Sequence, residues 1–206
     1  MSGMDERAIE AGAGTVDSPS LRTVFLDRDG VINRKPAPGM YVVDWAGFAL
    51  LPGVPQAIAR MNAAGLRVLV VTNQRGIARG LVEESAVREI HRRMVDLLAA
   101  SGARIDGIYV CPHDVGECGC RKPAPGLFRQ AQRDFPDVDF AQSVVVGDSW
   151  TDVEAGNAIG AVTIRVEAEP EAIHATSETT RVGLRVDAVV RSLAEAAEWI
   201  LRPRDS

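Results

Sequence analysis

The chain alternates between short, almost wholly apolar runs and longer segments in which apolar residues recur every three or four positions. Residues 21–26 read Leu-Arg-Thr-Val-Phe-Leu and stop abruptly at Asp27. Residues 66–71 stop at Thr72, residues 105–110 run into Cys111, and residues 143–146 lead to Gly147 and Asp148. Residues 161–166 and 187–190 are two further runs. Blocks of this length, rich in Val, Ile and Phe, predict β-strands.

The intervening periodicity predicts helices. Residues 55–64 follow the punctuation of Pro52 and Gly53, carry Ala57, Ile58 and Met61 at helical spacing, and meet a stop at Gly65. Residues 83–100 form a longer amphipathic segment, with Val87, Ile90, Met94, Leu97 and Leu98 expected inward and Arg88, Arg92 and Arg93 outward. Residues 125–135, 151–159 and 193–201 are the remaining helices. Residues 167–185 are polar and unpatterned, and are expected to be a surface excursion.

Strands that are apolar throughout and alternate with helices predict an α/β fold, a Rossmann-like parallel sheet covered on both faces. Asp27, Thr72, the Cys111 segment and Asp148 then all fall at carboxyl ends of strands, where open α/β sheets bind ligands. Residues 1–20, with acids, Gly, Ser and Pro and no apolar core, are expected to be a disordered tail, and residues 21–206 a single domain.

Composition narrows the function. A chain of 206 residues suits one well-buried domain, and a net charge of −5 offers no general attraction to nucleic acid or an anionic membrane. Against that background Arg28, Arg34, Lys35, Arg75, Arg79, Arg121 and Lys122 gather near the strand-end motifs, as expected of a basic mouth for a small polyanion. No apolar run is long enough to span a bilayer. The three cysteines all fall between positions 111 and 120, which points to a reducing compartment, the cytoplasm, and to a metal rather than a disulfide framework. No apolar stripe is left over, so a monomer is expected.

Asp27 and Asp29 are two apart, so an extended backbone aims both carboxylates the same way. One can attack phosphorus while the other gives and takes protons. Two carboxylates facing a phosphate repel it, so Mg²⁺ is required, with Asp148 as a further oxygen ligand and Asp152 helping directly or through water. Thr72 and Asn73 can donate to phosphate oxygens, and Lys122 can balance the charge on the transferring group. Cys111 and His113, then Cys118 and Cys120, supply a tetrahedral set for Zn²⁺ with no open position, and therefore a structural site. The other histidines, His91 and His174, are expected at the surface.

Three segments carry a family resemblance: Phe-Leu-Asp-Arg-Asp-Gly-Val-Ile-Asn at 25–33, Val-Thr-Asn-Gln-Arg-Gly-Ile-Ala-Arg-Gly at 71–80, and the cysteine cluster through Arg-Lys-Pro at 121–123. They resemble the haloacid-dehalogenase-like phosphohydrolases, within them the D-glycero-D-manno-heptose 1,7-bisphosphate phosphatases and the related histidinol-phosphatases. The resemblance implies an α/β core with a zinc-binding loop and no large cap domain. It implies Asp27 as nucleophile and Asp29 as general acid/base. Mg²⁺ would be held by Asp27, the Asp29 carbonyl and Asp148. Thr72 and Lys122 would stabilise the phosphoryl group, while Asn73 and Arg121 would contact substrate. The run at 76–80 looks like the heptose branch, implying removal of the C7 phosphate with Arg79 and Arg121 on the uncleaved end. Histidinol phosphate is the alternative; its amine would ask for an acid such as Asp114 or Glu117 at the entrance.

Overall fold

The computed structural model describes residues 21–167 and 183–203; the expected tail, His174 and most of the expected excursion lie outside them. The strands are β1 (Thr23–Leu26), β2 (Arg67–Asn73), β3 (Gly107–Cys111), β4 (Ser143–Gly147), β5 (Val162–Val166) and β6 (Ala188–Val190). They form one sheet in the order β3-β2-β1-β4-β5-β6. Every pairing is parallel, with Leu26 level with Val70 on one side and Val146 on the other. The strand order reverses direction at β1, so the crevice of this sheet opens above β1 and β4. Asp27 is the first residue beyond β1, and its N–H still donates to Val146 O at 2.9 Å.

Alternation within the strands divides the core in two. Val24 and Leu26 of β1 face a large cluster with α1 (Val54–Ala63), α2 (Glu84–Ala99) and α5 (Leu193–Leu201). Phe25, between them, faces the opposite cluster with α3 (Gly126–Asp134) and α4 (Trp150–Ala158), and meets Phe128 edge-on at 5.0 Å between centroids. Helices therefore cover both faces, as expected. A short 3₁₀ turn at Phe140–Gln142, not foreseen in the sequence, leads into β4 and is capped by the Asp139 side chain.

Two expectations for α2 are corrected. Leu97 is 42% exposed, because the buried stripe runs through Val87, Ile90, His91, Met94 and Leu98 and leaves position 97 beyond its edge. His91 is buried, because it falls one turn after Val87 on that same stripe and finds a polar partner there. Among the described residues no helix is long and apolar enough to cross a membrane.

The connection from β1 to α1 spans residues 27–53 without a helix. Val31, Ile32, Val42 and Phe48 tie it into the core, and Trp45 stacks on Phe48 at 4.9 Å. The exposed segment 34–41 is thereby hung over the carboxyl end of the sheet.

Candidate active site

A cavity of about 300 Å³ lies at that end. Asp27, Asp29, Lys122 and Asp148 line it, Pro36 to Tyr41 form one wall, and Lys35, Arg75 and Arg121 bring positive charge to it.

Lys122 is 3% exposed, and its ammonium meets three acceptors: Asp152 at 2.5 Å, Val71 O at 2.7 Å and Asp27 Oδ1 at 3.0 Å. Three N–H donors are all such a group has, so its position is fully specified. Burial alone would pull its pKa down; Asp152 and Asp27 reverse that and hold it charged. Asn73, at the end of β2, donates from Nδ2 to Lys122 O and accepts from Lys122 N, both at 3.1 Å. Asp152 sits in the first turn of α4, where Ser149 N and Oγ donate to its Oδ2 at 3.1 and 2.6 Å. That reciprocal capping arrangement satisfies the helix N-terminus and turns the other carboxylate oxygen toward Lys122.

Oxygens of Asp27, Asp148 and Asp152 lie within 4.8 Å of one another. Asp27 is pushed up to about 7, first by burial and then by Asp152, Asp148 and Asp29, against the pull of Lys122. Asp148 is also raised by burial, although Lys35 Nζ stands 2.8 Å from its Oδ2. Asp27, Asp148 and Asp152 thus gather carboxylate oxygens, the hard ligands a divalent cation such as Mg²⁺ takes. Gly30 makes the cluster sterically possible: its φ is +92°, and a Cβ there would land on the Asp148 carboxylate.

Asp29 stands on the cavity wall with its back to a buried network. Its Oδ1 accepts from Asn33 Nδ2 at 2.9 Å and Arg28 Nη2 at 3.0 Å; its Oδ2 accepts from Arg28 Nη2 and Gln74 Nε2, both at 3.0 Å. Gln74 also donates to Thr72 Oγ1 at 3.0 Å and accepts from Arg28 Nη2 at 3.1 Å. Arg28 is wholly buried and belongs to this network, not to the basic mouth where the sequence put it. Its planar fork is what Asp29 and Gln74 engage, and the sequence shows a cation without showing which way it turns. Asn33 and Gln74 lie inside the motif segments at 25–33 and 71–80 but carry no role in the sequence reading, and His91, expected at the surface, is buried against Arg28.

Arg79 is not on the cavity wall. It approaches Asp114 at 3.5 Å, and Arg75 makes a shorter ion pair with the same carboxylate. Arg75 above all holds Asp114 down at about 2. Glu117 accepts from Asp114 N at 2.8 Å, and neither acid lines the cavity.

Cys111, the last residue of β3, and His113, Cys118 and Cys120 in the loop after it bring their ligand atoms together. The sulfurs lie 3.1–3.6 Å apart and His113 Nδ1 is 3.3 Å from Cys120 and 3.7 Å from Cys111. Ligands on a tetrahedral zinc with bonds of about 2.3 Å would lie roughly 3.8 Å apart, so the set fits such an ion with small adjustment. The cluster directly precedes Arg121, whose N–H donates to Cys118 Sγ at 3.4 Å and whose Nη1 donates to His113 O at 3.4 Å.

Residues 119–196 match a family model described as HAD-hydrolase-like. A D-glycero-beta-D-manno-heptose-1,7-bisphosphate 7-phosphatase of Rhodopseudomonas palustris is 42% identical over 75% of this chain and 88% of its own length. The alpha-anomer counterpart from Mycobacterium bovis is 45% identical over 67% of this chain and 73% of its own. Among solved structures, a D,D-heptose 1,7-bisphosphate phosphatase from B. bronchiseptica, complexed with magnesium and phosphate, is similar with a TM-score of 0.77 and 36% identity. That match covers 88% of this chain and 98% of the other.

Proposed function

The chain belongs to the heptose 1,7-bisphosphate phosphatases of the haloacid-dehalogenase-like hydrolases, and from that premise we propose that it removes the C7 phosphate of D-glycero-D-manno-heptose 1,7-bisphosphate through a phosphoryl group carried on Asp27. One observation supports this above the rest: the Lys122 ammonium, fixed between Asp27 and Asp152, forms one wall of a cavity whose rim carries Lys35, Arg75 and Arg121. One end of a bisphosphate meets the nucleophile while the other has cations within reach.

In this account an Asp27 carboxylate oxygen attacks phosphorus and the bond to the sugar C7 oxygen breaks. Asp29 gives a proton to that departing oxygen. In the second half-reaction Asp29 takes a proton from water, which attacks phosphorus and frees phosphate and Asp27. Lys122 holds the nucleophile and neutralises the transferring group, and Thr72 donates to its oxygens. Asn73, on the cavity lining, contacts substrate and also grips the backbone of Lys122. Arg121 contacts the uncleaved end; Arg79 contributes by sharing Asp114 with Arg75.

Asp27, the Asp29 carbonyl and Asp148 would hold Mg²⁺, which when bound supplies positive charge to nucleophile and phosphate alike. Cys111, His113, Cys118 and Cys120 would hold a structural Zn²⁺ that fixes the loop presenting Arg121 and Lys122. A histidinol-phosphate activity asks for a free acid at the entrance; Asp114 is engaged by two arginines, Glu117 is turned to Asp114 N, and neither lines the cavity.

Phosphate release with Mg²⁺ from both anomers of heptose 1,7-bisphosphate, fructose 1,6-bisphosphate and histidinol phosphate tests the assignment. A kcat/KM for the heptose at least ~100-fold above the others is expected, about 2.7 kcal/mol of transition-state discrimination. A preference for histidinol phosphate overturns it.

A further inference from the structure

His91 is an unusual resident of the α2 core stripe. It is 7% exposed on a helix face otherwise made of Val87, Ile90, Met94 and Leu98. Its Nε2 lies 3.1 Å from Arg28 Nη1, and since guanidinium can only donate, Nε2 accepts. An imidazolium could not accept and would stand against a buried like charge. Burial first, and Arg28 second, accordingly hold His91 down at about 3.

The contact completes the restraint on Arg28. His91 takes Nη1, Gln74 Oε1 takes Nη2, and the remaining edge, Nε and Nη2, is turned to Asp29 at 3.3 and 3.0 Å. The same bond to Arg28 orients the Gln74 amide, so that its Nε2 faces Asp29. An unbroken chain of contacts therefore runs from the core of α2 to the cavity wall.

We propose that His91 is a positioning residue that, through Arg28 and Gln74, fixes the Asp29 carboxyl against the leaving oxygen. This rests on the assignment of Asp29 as leaving-group acid. Precise placement is what such a group requires, since a displacement of about 1 Å can cost ~100-fold in rate.

The consequence is a selective one. A sugar alkoxide leaves badly and needs the proton; a nitrophenolate leaves without it. The parameter kcat/KM reports steps through the first phosphoryl transfer and is blind to hydrolysis of the intermediate. His91→Phe removes the acceptor while filling the space. It should lower kcat/KM for heptose 1,7-bisphosphate by at least ~10-fold and for nitrophenyl phosphate by less than ~3-fold, within the usual reach of general acid catalysis. His91→Gln, which offers an acceptor oxygen, should restore most of the loss.

A misfolded protein loses both activities, so the ratio of the two substrates separates positioning from stability. His91→Met, which also lacks an oxygen or nitrogen acceptor, carries the same comparison if the phenylalanine variant does not fold. Equal losses on both substrates, or no loss on the sugar, overturn the inference. Asp29→Asn is measured alongside. If it spares the sugar phosphate, the acid assignment itself fails; if it is selective and His91→Phe is not, the positioning role alone fails.

Discussion

Asn73 holds Lys122 by both backbone polar groups, with Nδ2 to the carbonyl and Oδ1 to the amide at 3.1 Å each. The side chain at the end of β2 thus fixes the loop beyond the cysteine cluster, and the ammonium of that loop reaches back to Val71 O and Asp27. Strand and loop are locked together beside Asp27.

Asn73→Ala should therefore act on Lys122 rather than on substrate affinity alone. Two hydrogen bonds are lost and a partly buried carbonyl and amide are left open, a cost of about 1–3 kcal/mol in stability. We expect kcat to fall at least ~10-fold with a smaller change in KM, measured by steady-state kinetics beside a thermal melt. A rise in KM with kcat intact would leave Asn73 with substrate contact alone.

Gly30→Ala tests the packing of the acidic cluster. The position has φ +92° and its Cβ would occupy the Asp148 carboxylate. Backbone strain alone costs about 1–2 kcal/mol. Displacing Asp148 should also weaken Mg²⁺ binding by ~10-fold or more in a calorimetric titration. Unchanged affinity would remove Asp148 from the cation site.

Acidification should weaken Mg²⁺ in a defined window. The Asp27 carboxyl, raised from 3.8 to about 7, retains its proton in the folded, cation-free protein where an unfolded chain has released it. Between those values rising pH costs the cation-free fold stability, and a bound cation must displace the same proton. Apparent Mg²⁺ affinity is expected to drop by up to about tenfold per pH unit below ~7 and to level off above it. A flat profile between pH 5 and 7 would contradict an elevated Asp27.

Cys118→Ser should lower zinc content and melting temperature together, by several degrees for each 1–2 kcal/mol lost. Phosphatase activity should fall with them, because the cluster anchors the segment that presents Arg121 and Lys122. Elemental analysis showing unchanged zinc would dispose of the site.

The sheet was legible because a doubly covered parallel strand is written as an uninterrupted apolar run, and Asp27, Thr72 and Asp148 stand where those runs end. Spacing likewise announced the cysteine cluster. What stayed hidden depends on direction. Arg28 lies beside Asp27 in the sequence, yet its side chain turns inward to Gln74 and His91, 46 and 63 residues away. His91 looked like a surface histidine because periodicity marks the apolar stripe but cannot show a buried partner waiting opposite it. Arg79 shares the basic motif with Arg75, but both turn to Asp114, an acid contributed by a different loop.

The most direct test of the account is to acid-quench the protein while it turns over heptose 1,7-bisphosphate with Mg²⁺ and to map phosphoryl groups by peptide mass spectrometry. A phosphoryl group on Asp27, absent from an Asp27→Asn variant that keeps the wild-type fold and has lost turnover, is the predicted result. Sustained turnover by Asp27→Asn, or turnover with no modification of the Asp27 peptide under conditions that slow the second half-reaction, would contradict it.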